Sequence, residues 1–207
     1  MRLLAGLLAA AALLSASPPT IYYTKGFPGS SPSWVGIWVN QRGEGEYRES
    51  PEDDHPVRLA LNPAETREIF SLVEKLGFFS RNLESGAKVA FLGAKTFRYT
   101  DGSRDHRVEF NHSEDADAQR LADWFERITE TAIHFVNIER AAKYDHLGLD
   151  AALLQLQISA DRKRLAGASI LLPVLDRIAR NRSAFNRVRE RAAAIAETIR
   201  GGSARAE

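Results

Sequence analysis

The chain has 207 residues, a formal net charge of +1, 44% hydrophobic residues and no cysteine. It is long enough to bury a core without staples, and the missing thiols exclude disulfide frameworks, cysteine nucleophiles and a thiol-linked lipid anchor. The charge is unevenly distributed. Residues 162–207 hold 11 Lys and Arg against 4 acidic residues, a net of +7, and residues 18–161 hold 16 against 23, a net of −7. This asymmetry predicts either an electrostatic docking surface or an internal interface between the two halves.

The N-terminal segment has the composition of a secretory signal. Arg2 precedes an apolar run from Leu3 to Leu14, and small residues follow. The run is shorter than the about 20 residues that span a bilayer. We expect residues 1–17 to be a signal peptide, and the mature protein to be periplasmic or extracellular, with no transmembrane segment and no nucleic acid partner.

The first elements predict a small antiparallel sheet. Residues 18–32, rich in Pro, Ser and Gly, are expected to form an extended lead-in. A strand over 33–40 places Trp34 and Trp38 on one face, and Val35, Ile37 and Val39 on the other. A glycine turn leads to a second strand at 46–49, and a short strand follows at 57–61.

The next elements predict two helices packed on that sheet. Asn62, Pro63 and Glu65 form a helix start with a capping box, and Gly77 is a natural terminator. Strands are expected at 95–100 and 105–110, and Ser113 is expected to cap a long helix over 114–144. Residues 33–130 are therefore predicted to be an α+β domain: a small antiparallel sheet with two helices.

The C-terminal third predicts an all-α helical region. Residues 145–148 interrupt the long helix, and three amphipathic helices follow. Pro173 requires one of them to begin close by or to kink there, and Ser183 is expected to cap another. Gly201 and Gly202 are expected to end the last helix. We expect a helical domain over 131–200 that shares the long helix, and a disordered tail over 201–207.

Two segments carry a resemblance to known proteins. The stretches "FPGSSPSWVGIWVNQRGEGEY" and "AETREIFSLVEKLGFF" resemble a family of small secreted bacterial domains of unknown function, over about residues 24–130. The family often has a cysteine pair in the opening, where this chain has Ser and Phe, so a disulfide does not transfer. The order of elements is also similar to that of small proteinaceous metalloprotease inhibitors. The resemblance implies a fold and no active-site residues.

Motifs for catalysis or metal binding are weak. Gly93, Ala94, Lys95 and Thr96 lack the spacing of a phosphate-binding loop. The groups Asp53, Asp54 and His55, and His106, Glu109 and His112, contain metal-ligand residue types. In a strand, however, Glu109 points away from His106 and His112. Residues of these types are more often solvated loop and sheet residues than metal ligands. No nucleophile signature is present, and we expect no cofactor.

Two groups of residues are candidates for a binding surface. The aromatic group could form a platform for sugar or peptide, although burial beneath the helical domain is the commoner outcome for such residues. The basic group could contact an anionic surface or a partner, although a solvated helix face is commoner. The candidates are Trp34, Trp38, Tyr47, Arg180, Arg182, Arg187, Arg189 and Arg191.

These features predict an exported, non-enzymatic protein-interaction module of the cell envelope, of which inhibition of a secreted protease is one specific form. One alternative is an envelope hydrolase or metal-dependent enzyme with an interdomain site near Asp53, His55, His106 and His146. Another is electrostatic attachment to an anionic envelope surface through residues 162–207.

Overall fold

The computed structural model describes residues 18–145 and 147–204, with the side chains of 203 and 204 left aside. The predicted signal peptide and His146 lie outside the described residues. Six strands form one antiparallel sheet in the order β4-β3-β2-β1-β5-β6. Their bounds are β1 Thr20–Gly26, β2 Trp34–Asn40, β3 Glu44–Arg48, β4 Val57–Ala60, β5 Ala94–Thr100 and β6 Asp105–Phe110.

Strand β1 is the largest departure from the predicted sheet. It pairs with both β2 and β5, so residues 20–26 lie at the centre of the sheet and are not a lead-in outside it. The signal for this strand is present in its unbroken run of β-branched and aromatic residues, from Thr20 to Thr24. The prolines and glycines beside this run led to the prediction of a lead-in and not of a strand.

Two helices cover one face of the sheet, as predicted. Helix α1, Pro63–Lys75, begins at Asn62 with both hydrogen bonds of the predicted capping box. Helix α2, Ala116–Tyr144, is capped by Asp115, whose carboxylate accepts from two backbone N–H groups; the prediction of Ser113 as the cap was wrong. A helical turn at Gly77–Phe79 follows α1 and places Phe79 in the core.

The inner face of the sheet forms the first core. Val35, Ile37 and Val39 are buried against α1 and α2, as the alternation along β2 predicts. The rings of Tyr23 and Phe125 are stacked with their centroids 4.7 Å apart. The predicted α+β class is confirmed.

The C-terminal helices pack around the second half of α2. They are α3 Leu149–Asp161, α4 Leu172–Arg180 and α5 Asn186–Ala204, and Pro173 lies in the first turn of α4 as predicted. Helix α5 continues through Gly201 and Gly202, so its predicted end was wrong. An exposed glycine costs a helix only about 1 kcal/mol. The packing of the buried residues of α5 against the other C-terminal helices can offset this cost. Within the described residues, no helix combines the length and apolarity needed to cross a membrane.

The segment between α3 and α4 returns to the α+β half. Ala166 is fully buried in the first core, and its backbone N–H donates to the Thr131 hydroxyl at 3.1 Å. The Gly167 N–H donates to Glu65 at 3.0 Å, and Arg127 donates to the Leu165 carbonyl at 3.1 Å. These bonds fix the C-terminal helices against α1 and α2.

Candidate binding groove

The turn between α2 and α3 forms one wall of an open groove. The Asp145 carboxylate accepts a hydrogen bond from the Gly148 N–H at 2.8 Å. A Cβ atom at Gly148 would lie 2.1 Å from that carboxylate, so a larger residue here would displace the Asp145 side chain from this hydrogen bond. Leu147 is left on the outside of the turn, where 83% of it is exposed.

The α4–α5 connection forms the opposite wall. The Asn181 side chain accepts from the Ser183 N–H at 3.0 Å, and the Ala184 N–H donates to the Asn181 carbonyl at 3.0 Å. This compact turn presents Phe185 to solvent with 68% of its surface exposed. Phe185 is the residue directly before α5, so it lies at the helix end and outside the buried stripe that begins at Val188.

Between these walls lies a groove of about 1110 Å³, which we call the C-terminal groove. Its apolar lining comes from the end of α2, the start of α3, α4 and the start of α5. The apolar lining residues are Ala142, Leu147, Leu149, Pro173, Ile178, Ala184, Phe185 and Val188. This volume exceeds that of ordinary ligand pockets. Two large apolar side chains exposed at one site, here Leu147 and Phe185, are uncommon on a solvated surface.

The rim of the groove has an excess of positive charge. Asp176 is held by Arg200 through two contacts of 2.7 Å, so its charge is neutralised within the chain. Arg177 pairs with Glu139 at 2.6 Å, and Arg180 lies 3.4 Å from Asp176 with its side chain 80% exposed. Arg182 is exposed and has neither an ion pair nor a hydrogen bond to any described residue. Arg180 and Arg182 are therefore available to a ligand.

The other predicted arginines are engaged within the helical region. Arg187 and Arg191 both pair with Asp150 of α3, and Arg191 also donates to the Asp150 carbonyl at 3.2 Å. Arg189 donates to the Ala179 carbonyl at 3.4 Å. These contacts tie α5 to α3 and α4, so this part of the predicted basic surface is structural.

Part of the charge asymmetry is also satisfied between the halves. Arg164 contacts Asp123 at 2.5 Å and Glu130 at 3.4 Å, both on α2. The hydrogen bond to Asp123 raises the pKa of Arg164 above its ordinary value. Together with the Arg177 pair on α2, this contact joins the basic segment to the acidic half, which is the internal alternative that the sequence left open.

The outer face of the sheet carries the tryptophans. Tyr22, Trp38 and Arg98 lie side by side on β1, β2 and β5, and Tyr22 and Arg98 are exposed. The Trp34 ring lies over Gly36, and the Trp38 indole N–H donates to Glu46 at 3.1 Å. The expectation that helices bury the Trp pair was wrong, because α1 and α2 take the inner face and the second core contains no sheet residue.

Tyr47 does not belong to this aromatic face. It pairs with Ile37 across β2 and β3, and therefore points to the inner face, where only 1% of it is exposed. Burial is the main cause that raises the pKa of its hydroxyl above the ordinary range. The alternation that puts Ile37 inside would have identified Tyr47 as core had the strand register been known.

Three of the residues proposed for an interdomain enzyme site lie within the described part of the chain, and they are not brought together. Asp53 and His55 lie between β3 and β4, whereas His106 lies on β6 at the opposite edge, four to five strand spacings or roughly 19–24 Å away. Glu109 lies on the outer face beside Arg107, away from the inward position of His106, as predicted. Within the described residues no three His, Asp or Glu side chains are placed to hold one metal ion.

Sequence reasoning missed a polar network between α2 and α3. The Ser159 hydroxyl donates to Glu130 at 2.5 Å and lies 3.0 Å from Nε2 of His134. Burial lowers the pKa of His134, while Glu130 acts in the opposite direction. The carboxylate contacts the serine and not the histidine, so the network lacks the order of a catalytic triad and ties the two helices together.

Comparison of the chain with protein-family models, with curated proteins and with solved structures finds no match. The resemblance to a family of small secreted bacterial domains therefore stays a prediction, and the assignment of function depends on the geometry alone.

Proposed function

We propose that this protein is an exported, non-enzymatic interaction module that binds an acidic amphipathic segment of a partner protein in the C-terminal groove. The observation that carries the proposal is an apolar groove of about 1110 Å³ with Leu147 and Phe185 exposed at its walls. Burying such side chains against a partner is favourable, at about 25 cal/mol per Å² of apolar surface.

The charges on the rim select among partners. Arg182 has no ion pair among the described residues and lies in the chain between two lining residues, Asn181 and Ser183. Arg180 shares Asp176 with Arg200 and keeps a side chain that is 80% exposed. An acidic ligand is therefore attracted and a basic one repelled. A helix with an apolar stripe and flanking carboxylates meets both requirements, as in other helix-in-groove complexes.

Ion pairs within the chain make diffuse attachment to an anionic surface the weaker interpretation. Arg187 and Arg191 pair with Asp150, and Arg164 pairs with α2, so much of the +7 charge of residues 162–207 is compensated within the chain. Of the charges left uncompensated, those of Arg180 and Arg182 lie beside an apolar depression.

A pair of designed peptides tests this proposal. Both are helical with the same leucine stripe, and their polar faces carry glutamate in one and lysine in the other. We expect fluorescence anisotropy to show binding of the glutamate peptide alone, weakened by Arg182→Glu and by added salt. Arg162→Glu, at an exposed arginine after α3, is the matched control and should leave binding unchanged.

Three results would contradict the proposal. The first is equal binding of the two peptides, and the second is equal weakening by Arg162→Glu and Arg182→Glu. The third is concentration-dependent self-association in sedimentation that Phe185→Ser abolishes, because a second copy of this chain would then occupy the groove.

A further inference from the structure

A buried lysine at the opposite end of the molecule has no acidic partner. Lys95 is 8% exposed, and its ammonium nitrogen donates to the carbonyls of Asn111 at 2.9 Å and Gly93 at 3.4 Å. Among the described residues no carboxylate forms an ion pair with it, and the ring centroid of Phe110 lies 5.8 Å away. Burying an ammonium group without a counterion is costly, which favours the neutral amine.

A second lysine lies directly across the strands. The register pairs Lys25 of β1 with Lys95 of β5, so both side chains are on the inner face. Lys25 forms an ion pair with Glu126 of α2 at 3.0 Å. Burial first, and then the charge of Lys25, lower the pKa of Lys95, against the opposing influence of Glu126 and Glu84.

Lys95 is among the residues that line a cavity between the sheet and α2. The cavity has a volume of about 350 Å³ and is lined by both lysines, His112, Gln119, Asp123 and Glu126. This volume is at the lower end of ligand pockets, so it suits a small metabolite and not a polymer. Asp123 and Glu126 both line the cavity, and Glu126 forms an ion pair with Lys25, so the site does not select for anions.

We propose that Lys95 is a nucleophilic amine that captures small aldehydes or ketones as a Schiff base in this cavity. The lone pair of the neutral amine attacks the carbonyl carbon, a C–N bond forms and the C=O π bond breaks. One proton moves from nitrogen to oxygen, and loss of the hydroxyl group with a second proton releases water and leaves the C=N bond. A desolvated lysine beside another cation is the arrangement that activates such amines. Lys25 is a positioning residue that acts through Lys95.

The test uses the whole mature chain with acetaldehyde and cyanoborohydride at neutral pH, which converts a Schiff base into a stable secondary amine. Peptide mass spectrometry compares the ethylation rate of Lys95 with that of Lys88, an exposed lysine in the same protein. We expect Lys95 to react several-fold faster. A rate for Lys95 equal to or below that of Lys88 would overturn the proposal.

A second measurement separates activation from mere accessibility. Lys25→Met removes the neighbouring cation and should lower the Lys95-to-Lys88 rate ratio and shift its pH profile upward. The control Lys75→Met removes an exposed lysine from the last turn of α1 and should leave the ratio unchanged. If Lys25→Met folds as wild type and the ratio is unaltered, the role of Lys25 is refuted. If that variant fails to fold, the wild-type comparison decides the proposal alone.

Discussion

Glycine 45 offers a sharp test of the sheet register. A Cβ atom added to Gly45 in β3 would lie 2.2 Å from the Trp38 carbonyl oxygen and 3.2 Å from a methyl group of Val39. Real Cβ atoms essentially never approach another atom closer than 3.0 Å, and the atom in the way belongs to the backbone of β2, which is held by strands on both sides. In Gly45→Ala, β3 must therefore move by about 1 Å, at a cost of about 1–3 kcal/mol.

Thermal unfolding followed by circular dichroism measures this cost. For a chain of this size each kcal/mol lowers Tm by about 2–4 °C, so Gly45→Ala should lower it by roughly 2–12 °C. Gly36→Ala is the matched control on the neighbouring strand. Its Cβ would lie 2.3 Å from the Trp34 ring, a side chain that can rotate away, so its Tm should stay close to wild type. A wild-type Tm for Gly45→Ala, or a larger loss for Gly36→Ala, would refute the register.

Three further changes test separate parts of the fold. Asn62→Ala removes the capping box of α1 and should cost about 1 kcal/mol in urea unfolding; no loss would refute the cap. Leu153→Ala empties a fully buried site in the second core and should cost about 2–5 kcal/mol; a cost like that of an exposed residue would place Leu153 outside a core. The pKa of His134 is lowered in the folded state from its ordinary 6.5, so the unfolded chain binds the proton first. Stability should therefore fall as pH falls below 6.5, and His134→Gln should flatten that slope; an unchanged slope would show that another group titrates.

Local chemistry made the helices and the strands other than β1 predictable. The cap at Asn62, the proline in the first turn of α4 and the alternation along β2 each act within a few residues, so the sequence alone places them. Strand β1 was missed because its partners are distant in sequence: Tyr23 pairs with Ile37 and with Phe97. Pairings over such separations leave only a weak trace in local composition.

The candidate sites were less predictable than the fold. The basic residues of α4 and α5 were visible in the sequence, but only the three-dimensional structure separates the free Arg182 from Arg191, which is held by Asp150. The groove forms from four elements, and Phe185 lies before α5 and outside the buried stripe that begins at Val188. The sequence alone did not identify Lys95 as a candidate site. Its proposed reactivity depends on Lys25, which lies seventy residues earlier in the chain and is brought beside it by the strand register.

The measurement that tests the central claim most directly is the Kd of the glutamate peptide for Phe185→Ser and Leu154→Ser. Phe185 is 68% exposed at the groove, and Leu154 is 41% exposed on α3 and does not line it. Loss of an aromatic anchor costs about 2 kcal/mol, so Phe185→Ser should weaken binding roughly thirtyfold while Leu154→Ser binds as wild type. Equal Kd values for the two variants would place the binding site elsewhere and contradict the proposed function.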